Sequence, residues 1–191
     1  MHFNAIGIPA FILCVFNFSS IYADSWSVTQ SVTTSNPLLL NQHNATGSTI
    51  QSVNLINLDQ SSGVVSHAEQ TLNAGGNNVS LIMLGSENSY QSVNYLAASE
   101  VVSATQNATN INEAVLRQIG GSNNVQAINV TKATGGLGVQ ISNLTQTVSA
   151  NTLTLDYQGT GSGNIQAGNF IEADSISTTP GAVTQNFVVT T

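Results

Sequence analysis

The chain has 191 residues, a formal net charge of −7 and charged side chains at only 6% of positions, against about 25% in an ordinary soluble domain. Two cations exclude a nucleic-acid binder, which must neutralise a run of phosphates. A hydrophobic content of 41% with so little charge excludes charge-driven disorder, because enough apolar surface remains to build a core. In chain order, residues 1–23 read as an export signal. Ala5 to Phe18 form an apolar run interrupted by Gly7, Pro9 and Asn17, and Ala23 offers a small residue at a cleavage point before Asp24. The run is too short to span a bilayer and no later apolar stretch approaches about 18 residues, so no membrane span is expected. The sole cysteine, Cys14, falls inside this segment. Residues 24–191 are therefore expected to form a single secreted domain with no disulfide and no thiolate site.

The mature region is built from two interleaved series. Four segments share Gln-x-x-Asn, at Gln51/Asn54, Gln91/Asn94, Gln126/Asn129 and Gln166/Asn169, and a glycine precedes each glutamine. Between them run VTQSV, AEQTL, ATQNA, LTQTV and VTQNF, centred on Gln30, Gln70, Gln106, Gln146 and Gln185. In this second series each glutamine has an apolar residue two before and two after, for example Val28/Val32 and Leu144/Val148, which is the period of one strand face. In the first series Ile50, Ser52, Asn54 and Ile56 read as one face, and the pattern recurs from Tyr90, Val125 and Ile165.

Merged, the nine glutamines fall roughly 20 residues apart, and Gly/Asn/Ser clusters lie between them, as at Gly75-Gly76-Asn77-Asn78, Gly120-Gly121 and Gly159-Thr160-Gly161. The fold class expected is all-β: a parallel β-solenoid of about eight to nine coils, roughly 20 residues per coil, each giving two strands of about 5–6 residues. Stacked primary amides can each donate to one neighbour and accept from the other, satisfying buried polar groups without charge. A charged side chain at such a position would meet its own kind in the next coil, so scarce charge follows from stacking. Pro37 and Pro180, the two prolines of the mature region, fall outside the strand cores.

Gln118-Ile-Gly-Gly-Ser-Asn-Asn124 and Gln158-Gly-Thr-Gly-Ser-Gly-Asn164 resemble the Gln-x-Gly-x-x-Asn turn of the curlin repeat of bacterial curli. Gly85-Ser-Glu-Asn88 with Gln91 and Asn94 is similar to the Gly-x-x-Asn-x-x-Gln-x-x-Asn phrase of Fap-type functional-amyloid subunits. The resemblance covers most of residues 25–187 and is periodic and compositional more than literal. It implies secretion, a β-solenoid or cross-β stack, and self-assembly into an extracellular fibre at the cell surface that supports adhesion or a biofilm matrix. The partners it implies are further copies of the chain, with a nucleator or a secretion channel as a further candidate.

No catalytic pattern is read. His43 and His67 lack a triad context, and the carboxylates form neither a calcium ladder nor a paired acid site. Gly135-Gly136-Leu137-Gly138 reads as a turn rather than a phosphate cradle, and no cofactor or metal is expected. Arg117 and Lys132, the only cations, read as solvated positions. The function expected is therefore a structural subunit that assembles through exposed strand edges, residues 26–32 at one end and 183–189 at the other. The alternative is a monomeric surface adhesin, or a carbohydrate- or ice-binding solenoid, which regular outward threonines would favour. Thr33/Thr34 and Thr152/Thr154 are the pairs in view, and no threonine ladder is read at repeat spacing.

Overall fold

Strict alternation of small apolar and polar residues extends the backbone, and stacking of like upon like aligns neighbouring strands in parallel. The computed structural model describes residues 15–17, 25–47, 49–58, 63–134 and 139–189. Apart from Val15–Asn17, the segment read as an export signal lies outside the described residues, as does Gly135-Gly136-Leu137-Gly138. Among the described residues twelve strands follow one another: β1 (Val15–Asn17), β2 (Ser25–Thr33), β3 (Leu38–His43), β4 (Ile50–Asn57), β5 (Val64–Leu84), β6 (Tyr90–Ala98), β7 (Glu100–Val101), β8 (Ala104–Ile119), β9 (Val125–Ala133), β10 (Leu144–Gln158), β11 (Ile165–Ala173) and β12 (Val183–Val189). No helix occurs among the described residues.

The strands form two parallel sheets. A five-stranded sheet runs β1-β4-β6-β9-β11, and a seven-stranded sheet runs β12-β10-β8-β5-β2, with β3 and β7 also paired to β5. Each coil crosses the larger sheet in two limbs, turns, and returns through the smaller one. β2, β3 and β4 make the first coil, β5 and β6 the second, β8 and β9 the third, and β10 and β11 the fourth; β12 opens a further layer. The molecule is thus a parallel β-solenoid of about four turns, which corrects the expected eight to nine. The reason lies in the strands that run through both limbs. β5, β8 and β10 are 21, 16 and 15 residues long and bend without ending, so the spacing near 20 separates two amides on different faces of one coil. Gly75-Gly76 lies in such a bend inside β5 and is not a turn between strands.

A second correction concerns the smaller sheet. Its pairing runs Ser52↔Ser92 and then Asn54↔Asn94, skipping Val53 and Val93. Val53, Val93 and Ile128 pack into the interior with Leu72, Leu81 and Leu116, while the adjoining Asn94 also points inward, donating to Asn107 O across the core. Two consecutive inward residues kink the strand and reverse its parity, as a bulge does. Ser52 therefore does not share a face with Asn54. Tyr95, Ala127 and Val130 belong to a separate cluster on the other face, and β6 and β9 are buried on both faces.

The interior is divided by the amides of the larger sheet. Leu72, Ala108 and Val148 lie in one apolar cluster and Ala68, Ala104 and Leu144 in another, on either side of Gln70, Gln106 and Gln146. At the corners the coils approach closely. Gly121 has φ +78°, and a Cβ there would collide with the carbonyl oxygen of Ser86 in the preceding coil, whereas at Gly120 (φ +65°) the space is open. Positive φ strains any other residue, but only Gly121 must also displace a backbone. Gly120→Ala is expected to cost about 1 kcal/mol and Gly121→Ala about 3 kcal/mol or more, a difference read directly in denaturant midpoints.

Candidate functional site

Three amide columns run the length of the solenoid. In the larger sheet Gln70 Nε2 donates to Gln30 Oε1 at 2.9 Å, Gln106 to Gln70 at 2.8 Å, Gln146 to Gln106 at 2.8 Å and Gln185 to Gln146 at 2.8 Å. In the smaller sheet Gln91 donates to Gln51, Gln126 to Gln91 and Gln166 to Gln126, each at 2.7 Å. The asparagine column runs the other way: Asn54 Nδ2 donates forward to Asn94 Oδ1, Asn94 to Asn129 and Asn129 to Asn169, at 2.7–2.8 Å. The two glutamine series therefore do not stack on each other. Each keeps its own column, with rungs 35–40 residues apart.

The second N–H of each amide ties the faces of the coil together. Gln70, Gln106 and Gln146 donate to the carbonyls of Tyr95, Val130 and Phe170 in the smaller sheet. Asn54, Asn94 and Asn129 return bonds to Thr71, Asn107 and Thr147 in the larger. Gln91 and Gln126 reach the second limb, at Ile82 O and Leu81 O. In the middle rungs these side chains are fully buried, so each N–H and each oxygen must have its partner within the protein. Parallel stacking supplies that partner at every rung spacing of about 4.8 Å.

A fourth amide column lies at a corner, at the asparagines that close the two curlin-like turn stretches and that were not among the expected ladder positions. Asn124 Oδ1 accepts from Ser89 N at 3.0 Å and its Nδ2 donates to Ser86 O at 2.6 Å; Asn164 repeats this on the next coil, accepting from Asn124 N and donating to Gly121 O. The signal was present in the recurring Asn two residues before Gln126 and Gln166. Two residues after Asn129, the Thr131 hydroxyl donates to Gln106 Oε1 in the core.

The described charged residues are all half-buried or exposed. Arg117 is not merely solvated: its Nε meets Asp156 Oδ2 at 2.8 Å across adjacent rungs of the second limb. The Gln158 amide, first, and the Arg117 guanidinium hold the Asp156 carboxyl below its ordinary range. Lys132 lies over the Tyr90 ring, 5.7 Å from its centre. His67 and Glu69 are exposed on the larger sheet, and among the described residues no group of three or more His, Cys, Asp or Glu converges.

The two ends of the stack differ. At the C-terminal end, no described strand pairs with the outer edge of β11 or β12. Leu155, Tyr157, Ile165, Phe187, Val188 and Val189 are all exposed there. Gln166 and Gln185 are the last donors of their columns, so no rung donates onward to their Oε1 atoms among the described residues. At the other end Asn54 Oδ1 is buried with no partner, and β1 pairs only with Leu55, Ile56 and Asn57 of β4. No protein-family model, no curated protein and no solved structure matches the chain.

Proposed function

We propose that the chain is a secreted structural subunit that stacks end to end into an extracellular, amyloid-like fibre of the curli type, in the service of adhesion or a biofilm matrix. The observation that carries this reading is the complementarity of the two ends. A second copy placed head to tail sets its β2 on the outer edge of β12, in the parallel sense and glutamine register that β12 keeps on β10, so that Gln30 of the second copy follows Gln185 of the first as the next rung. The larger sheet and its glutamine column continue in the direction they have inside the molecule, whereas apposing like ends reverses it. Unpaired strand edges and exposed apolar side chains at the C-terminal end supply the driving force. Cleavage after Ala23 would remove β1 and leave β2 as the first strand of the stack.

The test is to purify residues 24–191 and follow thioflavin fluorescence and negative-stain images. Unbranched β-rich fibres are expected; a chain that stays monomeric for days at high concentration overturns the reading. Phe187→Lys gives the matching control. Phe187 is 42% exposed and lies against Gly168 at the open end, so the charge costs the monomer little but would be buried at every junction. The variant is expected to fold and to assemble at least tenfold more slowly.

A further inference from the structure

The outer face of the first limb takes part neither in the amide columns nor in the ends. There the residue before each glutamine points outward, and Thr29, Glu69, Thr105, Thr145 and Thr184 stand in one column, each in register with the next. The residue after each glutamine forms a second column: Ser31, Thr71, Asn107, Thr147 and Asn186. All ten are half-buried or exposed. This is the threonine ladder at repeat spacing that was not read from the sequence. Glu69 breaks it at the second rung, which leaves only Thr105, Thr145 and Thr184 as an unbroken run.

Rungs stand about 4.8 Å apart and the two columns about 6.6 Å apart, so the face is a lattice of hydroxyls, amides and methyls. Threonine is restricted at χ1, and its stacked neighbours restrict it further, so little rotamer freedom is left to lose on binding. Nine of the ten side chains are uncharged, and a net charge of −7 disfavours anionic polymers. The face also lacks the aromatic and arginine side chains that anchor protein interfaces. A ligand that suits it is neutral, extended and periodic, with hydroxyls to exchange hydrogen bonds and C–H groups to meet the threonine methyls. Glu69 and Asn107 interrupt the regularity that an ice surface needs, but serve as acceptor and as donor and acceptor for sugar hydroxyls.

We propose that the outer face of the first limb binds an extended neutral polysaccharide, its chain lying along the solenoid axis with about one sugar ring per rung. The proposal does not rest on fibre formation. The face is complete in one copy, and stacking would only lengthen it and raise avidity.

The experiment is depletion of the chain from solution by microcrystalline cellulose and by insoluble xylan. Wild type and a Thr105→Val/Thr145→Val variant are compared, with ice partitioning as a separate arm. Valine keeps the β-branch and the methyls while removing two hydroxyls, and circular dichroism confirms that the fold is retained. Wild type is expected to bind at least one of the two polysaccharides. Binding should persist at about 1 M salt, where charge is screened, and weaken at least tenfold in the variant. Phe187→Lys should bind like wild type even where it fails to form fibres, so the two readings fail separately. Absence of binding to both polysaccharides, equal binding by the valine variant, loss of binding in salt, or partition into ice alone would each overturn the proposal.

Discussion

Gln126→Glu is expected to destabilise the chain by about 4 kcal/mol or more at neutral pH, although it changes a single side-chain atom. Gln126 is fully buried; its Nε2 donates to Gln91 Oε1 at 2.7 Å, Leu81 O at 2.8 Å and Arg117 O at 3.1 Å, and its Oε1 accepts from Gln166. A carboxylate there would set a buried charge against three oxygens, with the Gln166 amide as the one donor facing it. Burial raises the folded-state pKa of the new carboxyl above its ordinary value, so the folded state binds protons more tightly than the unfolded one. The ionisation penalty is therefore complete above the raised pKa and fades as pH falls toward about 4, where the unfolded carboxyl also protonates. Part of the loss should persist in acid, because a carboxylic acid has one donor where the amide had two. Urea melts of wild type and variant at pH 7 and near pH 4 check this. Gln185→Glu, at the exposed last rung, is the control and is expected within about 0.5 kcal/mol of wild type. A Gln126→Glu chain as stable as wild type at pH 7 would show that the columns are not the closed network described.

The amides that form the columns were legible because stacking leaves a strong mark: the same side chain, with the same flanks, recurs wherever a rung recurs. Strand parity around Gln30, Gln70, Gln106 and Gln146 was legible for the same reason, since the apolar residues two before and two after must face the core. The number of coils was not. Each coil carries one glutamine from each series, and merging them makes the half-coil look like the unit. The correcting signal is that VTQSV, AEQTL and ATQNA resemble one another more than they resemble the Gln-x-x-Asn segments between them. The kink at Val53 and Val93 hid because a bulge reverses parity without changing composition; its trace is the apolar residue before Asn54, Asn94 and Asn129. The outward threonines hid behind a different irregularity. Thr29, Thr105, Thr145 and Thr184 all precede a glutamine, but Glu69 interrupts the column, and the adjacent pairs Thr33/Thr34 and Thr152/Thr154 lie outside it. Interior positions constrain one another through packing and hydrogen bonds, so they leave the regular pattern, while a solvent-facing column tolerates an exception.

The second large effect distinguishes the coil from its half. Ala104 and Leu144 are partners on adjacent rungs, so deleting residues 104–143 joins Ser103 to Leu144 and lowers everything downstream by one rung. In the shortened chain Gln146 stacks on Gln70, Gln166 on Gln91 and Asn169 on Asn94, and every column keeps its donor direction. A solenoid stabilised by nearest-neighbour contacts should survive that loss. The deletion variant is expected to unfold cooperatively, with a stability lower by about 2–6 kcal/mol, the share that some 40 residues contribute in an ordinary domain. Deleting residues 104–123 removes half as many residues and joins Ser103 to Asn124, which would preserve the frame of a solenoid with 20-residue coils. In the four-turn solenoid it brings the Gln-x-x-Asn strand onto the first limb of β5. Gln126 then faces the place of Gln106 with the wrong flanks, Asn129 has no column to join, and the smaller sheet loses its third rung. The buried amides of Gln91 and Asn94 would lose their partners on one side, at about 1–3 kcal/mol each. The shorter deletion is thus expected to abolish cooperative unfolding or to cost more than the longer one. Far-UV circular dichroism with urea melts of both chains decides it, and a 104–123 deletion that folds better than the 104–143 deletion would overturn the assignment of one coil to 35–40 residues.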